Sequence, residues 1–324
     1  MQINTKNIEN KIVDFQTGNQ TKARVDGTWY KADYLGYEGA AEYVASSILK
    51  YSNIKNYVNY DLCNISYMKE GEINISMGCK SDDFMKNYPE GSEFVPLDEF
   101  FELELDIDIV EMLEDMSTED AIKSVVGMIE GITDKEDVGA YITSILEFDT
   151  LIMNEDRHFS NIGLIKTPDG TYEYAPIFDN GASFLSDMQV DYPINKDTWG
   201  LINSVTFKPF DLNCDKQLDI CHKLYGQQLN IKNMPGNLID EDVINNIGKK
   251  IEECFDYPAS VLINIGNKNK TSLIEKFFSS DIMMNTMYVM ALISFSLAAV
   301  LVTLIWLRAK RMLFYVCSIC GYKK

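Results

Sequence analysis

The chain has 324 residues, 46% hydrophobic and 24% charged, the balance of a folded globular protein and not of a disordered one. Forty-nine Asp and Glu against 29 Lys and Arg give a net charge of −20 at pH 7, so the average surface repels phosphate polymers and direct nucleic-acid binding is not expected. The length suits two domains or two lobes around a sizeable core.

The opening MQINTKNIENKIVDF has no apolar run, so no export signal is expected and the body is expected in the cytoplasm. Seven cysteines in such a body read as reduced thiols, with Cys63, Cys79, Cys214, Cys221 and Cys254 as packing residues. Strand-like runs at Ile12–Phe15, Ala23–Val25, Thr28–Ala32 and Ile73–Met77 are punctuated by Gly18-Asn19 and Asp26-Gly27 turns, with one helix over Glu38–Tyr51. That predicts a small sheet with a helix against it. From Pro96 on, periodicity predicts helices over Leu97–Leu113, Ser117–Gly131, Asp134–Met153, Cys214–Leu229, Asp240–Phe255 and Pro258–Ile265. The acidic stretch from Asp98 to Asp120 reads as a solvated helical face.

Between the helical blocks, an irregular segment from Asn154 to Leu185 carries most of the polar signal. Ile162–Ile165 and Tyr172–Ile177 flank a Pro-Asp-Gly turn, which predicts a β-hairpin. Asp156 and Asn161 precede its first strand and Asp179 follows its second. Both ends of a hairpin lie at one edge, so the three side chains can converge.

The C-terminal stretch is different in kind. Met287–Leu307 has no charged residue, and about 21 helical residues span roughly 30 Å of hydrocarbon. Tyr288 and Trp306 stand near its ends, and Arg308, Lys310 and Arg311 stop it. A transmembrane or membrane-anchoring helix is expected. From Asp281 on there are five basic residues against one acid, a net +4 that leaves −24 on the rest. That basic cluster on the far side runs against the positive-inside tendency, so a shallow or re-entrant tail stays open. Cys317 and Cys320 have the shape of one zinc-ribbon knuckle without the second pair that would complete it, which leaves zinc open.

A carboxylate, an amide five residues later and a second carboxylate beyond a hairpin are the parts phosphoryl transfer from a nucleotide requires. Asp156 can orient the attacking hydroxyl and accept its proton, while Asn161 and Asp179 offer hard oxygen ligands to Mg2+. The alternative is a polar hairpin rim held by Asx turns. His158, within Asp156-Arg157-His158, reads as a group that packs beneath this loop, with Arg157 in a similar structural part. His222 has no partner visible in sequence.

N-x-D-R-H-x-x-N followed by F-D-N-G, at Asn154–Asn161 and Phe178–Gly181, resembles the HipA-like serine/threonine kinases of bacteria and, more distantly, the phosphoinositide kinases. T-G-N-Q-T-K at Thr17–Lys22 resembles the family's phosphate loop, W-Y-K-A-D at Trp29–Asp33 the strand with the nucleotide-binding lysine, and G-Y-E-G-A-A-E-Y-V-A-S the helix whose glutamate pairs with it. The resemblance covers about Phe15 to Gly226. It implies an α+β, two-lobed protein-kinase-like fold: a β-rich nucleotide lobe over residues 1–95 and a mainly helical catalytic lobe over 96–280, to which hydropathy, not the resemblance, adds an expected transmembrane helix and basic tail over 281–324. It also implies ATP and Mg2+ as cofactors and Asp156 as the catalytic carboxylate. Asn161 and Asp179 would be metal ligands, and Gly18, Asn19, Gln20 and Lys22 the phosphate loop. Lys31 would contact the phosphates with Glu42 holding it. Lys22 is the rival lysine, and Glu38 competes with Glu42 from the same helix face.

The implied activity is transfer of the γ-phosphate to a protein serine or threonine, including the chain itself, and the apolar tail, read separately, would place it at the cytoplasmic face of a membrane. A lipid or small-molecule kinase and a membrane-anchored nucleotide-binding module without turnover are the alternatives. The phosphate loop begins within the first 20 residues and the apolar tail is foreign to the toxins of this family. A toxin role, an antitoxin partner and the protein substrate's identity therefore stay open.

Overall fold

The computed structural model describes residues 20–69, 72–193 and 198–234, together with 243–244, 246–248 and 250. Strands β1 (Lys22–Val25) and β2 (Thr28–Ala32) form a hairpin closed by Asp26 and Gly27, both with positive φ (51° and 73°), the pairing a tight two-residue turn demands. Helix α1 (Glu38–Leu49) follows, then a long hairpin of β3 (Tyr60–Lys69) and β4 (Glu72–Asp82). The antiparallel sheet runs β1-β2-β4-β3. β3 was not expected from the sequence, and β4 runs past the Ile73–Met77 core read for it. The outer half of this hairpin leaves Ile73 and Ile75 exposed, so its alternation does not mark a buried face.

Two glycines let α1 lie close on the sheet. A Cβ on Gly39 would come within 2.5 Å of the Gly78 carbonyl carbon, and one on Gly78 within 2.1 Å of Lys31 O. The Gly39 amide instead donates to Asp33 Oδ1 at 2.6 Å. Ten of the twelve α1 residues are buried, Glu42 among them.

The remainder is mainly helical around a second sheet, β5-β6-β7, made of β5 (Glu93–Pro96), β6 (Gly163–Lys166) and β7 (Tyr172–Tyr174). β5 straddles the boundary expected after residue 95 and pairs with β6. The helices are α2 (Leu97–Leu105), α3 (Ile109–Leu113), α4 (Thr118–Thr133), α5 (Val138–Ile152), α6 (Thr198–Ser204) and α7 (Cys214–Tyr225). One expected helix over Leu97–Leu113 is two. Asp106 ends α2 in the left-handed region (φ 56°), and the Asp108 carboxylate accepts from the Val110 and Glu111 amides to start α3. Likewise Asp134 terminates α4, so α5 begins at Val138, and Gly226 caps α7 after Tyr225, four residues before the expected Leu229. Helix α6 was not foreseen.

The main hydrophobic cluster among the described residues runs from α1 (Ile48, Leu49) through α2 (Phe100), α4 (Ile122) and α5 (Phe148) to Cys221 of α7. Burying each such large side chain contributes on the order of 1.5–3 kcal/mol. Among the described residues no helix is long and apolar enough to cross a membrane. The segment Met287–Leu307, the Cys317–Cys320 knuckle, Gly18 and Asn19, and most of the two helices expected after Asp240 lie outside the described residues.

Candidate active site

β2 alternates its side chains, and Lys31, opposite Cys79 of β4, points inward and is buried, with Tyr30 on the other face only partly so. Its ammonium lies 2.5 Å from Glu42 Oε1 and 2.6 Å from Asp179 Oδ1, and 5.3 Å above the Tyr60 ring. Glu38 is committed elsewhere: its carboxylate accepts from the Tyr34, Leu35 and Gly36 amides and closes the loop before α1. Lys22 reaches the other oxygen of Asp179 at 3.5 Å. Gln20, just before β1, is half-buried.

Burial by itself would push the Asp179 carboxyl up, but the Lys31 and Lys22 ammonium groups overcome this and hold it well below the usual carboxylate range. Burial works against the charged Lys31 as well, and Asp179 and Glu42 together raise it well above its ordinary value. Both partners are therefore ionised at neutral pH. Asp179 takes a left-handed backbone (φ 56°), which a short polar side chain tolerates. Phe178 before it is wedged against Phe84 and Phe94, with ring centroids 5.7 and 5.4 Å away. Glu42 also accepts the Asn180 amide at 2.8 Å, so a single carboxylate fixes both the lysine and the backbone beside Asp179.

The loop after α5 is held by Arg157, which is fully buried. Its Nε and Nη2 donate to the two oxygens of Asp149 at 2.9 and 3.0 Å, Nη2 also to Asn180 Oδ1 at 2.7 Å, and Nη1 to the carbonyls of Asn161 and Phe178 at 3.0 and 2.6 Å. All five guanidinium hydrogens are used. Arg157 thereby ties the segment carrying Asp156 and Asn161 to the segment carrying Asp179. Asn154 braces the same turn, donating to Asp149 Oδ1 at 2.9 Å and accepting the Asp156 amide at 3.1 Å.

His158 is not beneath the loop. Its side chain is 43% exposed, with Nε2 3.7 Å from Asp156 Oδ2 and 3.2 Å from Asn161 Nδ2. The buried position belongs to Arg157, because only a forked donor can satisfy two separate loops at once. Asn161 commits its amide nitrogen to Asp156 O at 3.0 Å, which leaves its carbonyl oxygen as the atom for a cation. Asp156 is about half exposed and borders a cavity of about 350 Å³. His222, unpartnered in the sequence reading, meets Glu147 Oε1 at 2.6 Å. Cys63, Cys79, Cys214 and Cys221 form no disulfide among the described residues. Burial pushes those of Cys63 and Cys221 up, to about 11 and about 12, so neither is an activated nucleophile.

Lys31, Glu42 and Asp179 are thus in mutual contact, and Lys22 stands at their edge. Asp156 and Asn161 sit on the adjoining loop. Asp149, Asn154, Asn180 and Lys208 were not singled out by sequence. Of these, only Asn154 and Asn180 lie within the motifs, where position next to an acidic residue was the available signal.

No protein family model matches the sequence, and no curated protein matches it. Among solved structures the chain is similar to the Helicobacter pylori proinflammatory kinase CtkA, with 15% identity and a TM-score of 0.43 over 87% of this chain and 88% of that one.

Proposed function

We propose that the chain is an ATP- and magnesium-dependent kinase of HipA-like type that transfers the γ-phosphoryl group to a serine or threonine hydroxyl of a protein, including its own. The observation that carries this reading is the position of Lys31, held between Glu42 and Asp179 at 2.5 and 2.6 Å while Arg157 locks the Asp156–Asn161 loop to the same place. A buried, charged lysine orientated by a carboxylate is what a triphosphate needs, and an adjoining carboxylate and amide are what its metal needs. The donor set suits magnesium, which takes one or two protein oxygens and leaves the rest to phosphates and water. Among the described residues no group of three or more His, Cys, Asp or Glu could hold a metal without such help. ATP and magnesium would supply the phosphoryl group and the charge neutralisation between its phosphates.

Lys31 and Lys22 bind and orient the phosphates, with Gly18, Asn19 and Gln20 offering backbone donors. Asn161 and Asp179 would hold the cation. Asp156 accepts the proton of the acceptor hydroxyl as the new oxygen–phosphorus bond forms and the bond to the departing diphosphate breaks. Carboxylates of Glu155, Asp187 and Asp191 line the cavity beside Asp156 and would repel an anionic lipid head group, which favours a protein hydroxyl. In this reading residues 1–95 form the nucleotide lobe and 96–280 the catalytic lobe. The apolar segment over 287–307 would hold the kinase at the cytoplasmic face of a membrane.

The test is incubation of the full chain with labelled ATP and magnesium. Protein should become labelled, and Asp156→Asn should lower transfer about 10²–10⁴-fold while ATP still binds. Full transfer by Asp156→Asn would sink the assignment, and label confined to lipid vesicles would remove the protein substrate.

A further inference from the structure

The proposed base has a partner that the sequence motifs do not contain. Lys208 Nζ lies 2.7 Å from Asp156 Oδ1, although 52 residues separate them. The base of this lysine is well anchored. Phe207 is buried in a cluster with Met153, Tyr192, Val205 and Cys214, and its amide donates to Leu212 O at 3.0 Å. Met153 caps the C-terminal end of α5 just before the Asn154–Asn161 loop, so the same cluster supports both members of the ion pair.

The surroundings give the pairing a purpose. The cavity at Asp156 is also lined by Glu38, Glu155, Asp187 and Asp191, and among the described residues Lys208 is the one cation of that lining. Five acidic residues lining one space would oppose the approach of any phosphoryl group. We propose that Lys208 is a positioning residue for phosphoryl transfer: it holds the Asp156 carboxylate in one orientation towards the acceptor hydroxyl and offsets the negative charge that surrounds it. This rests on the kinase reading above. Both side chains are about half exposed, so the pair adds little to stability and its effect falls on the reaction.

The experiment uses the full chain with labelled ATP and magnesium, following transfer to the chain itself and to water, for wild type, Lys208→Met, Lys208→Arg and Asp156→Asn. Lys208→Met should lower kcat about 10- to 100-fold, the scale of one lost charge-assisted hydrogen bond. The KM for ATP should stay within about twofold and the melting temperature within about 3 °C. Lys208→Arg, which keeps the charge, should recover most of the rate. A wild-type kcat in Lys208→Met, with Asp156→Asn inactive, overturns the role of Lys208 and leaves the kinase reading intact. A rate loss accompanied by a fall in melting temperature of about 10 °C or more reduces Lys208 to a structural residue and also overturns it. If Asp156→Asn is as active as wild type, the kinase reading itself fails.

Discussion

Asp156 and Arg157 are neighbours in sequence and opposites in environment. Arg157 is fully buried and spends every hydrogen on Asp149, Asn180 and two carbonyls, whereas Asp156 is about half exposed and meets a lysine from a distant loop. One residue holds the loop and the next is presented by it. The contrast separates what keeps the site in place from what the site can do, since an unpaired buried charge costs several kcal/mol and an exposed pair under about one.

The largest effect is therefore expected from Arg157→Ala. It would leave Asp149 buried without its cation and should cost about 3–5 kcal/mol of stability, read from urea unfolding. A midpoint close to wild type would abolish the distinction between the two neighbours. Next comes Gly39→Ala, whose methyl would meet the Gly78 backbone at 2.5 Å and should cost about 1–3 kcal/mol. Because α1 carries Glu42, it should also weaken ATP binding; normal binding with normal stability would show that this close approach is dispensable. The smallest effect concerns pH. The folded Asp179 carboxyl lies below its unfolded value of about 4, so its contribution is fully present above that value and is lost as pH falls below it towards the folded value. Lys31→Met should flatten this acid limb in urea midpoints measured from pH 6 to pH 3. An unchanged limb would mean that the lysine does not set the charge of Asp179.

Much of this arrangement was legible in the residues, because short-range rules fix short-range features. The Asp26-Gly27 turn, β2, the start of α1 and the hairpin around Pro168-Asp169-Gly170 follow from turn chemistry and period. The helix break at Asp106 went unread, since an aspartate inside an amphipathic pattern looks like any other polar position until its backbone turns left-handed, whereas the break between α4 and α5 was read with its edges a few residues off. The Glu38 and Glu42 alternative could not be settled from spacing alone, because both lie on one helix face. It was decided by where the chain before α1 turns, which uses up Glu38.

The sequence by itself determined which ionisable residues stand near one another along the chain: Asp156 with Asn161, Lys31 on a strand, Asp179 beyond a hairpin. Tertiary structure alone decided which of them are buried, which charges pair, and that Asp149 and Lys208 belong beside them. The physical reason is that pairing and desolvation are set by contacts between separate elements, 8 residues apart for Arg157 and Asp149 and up to 148 for Lys31 and Asp179, and no local periodicity encodes a partner on another element.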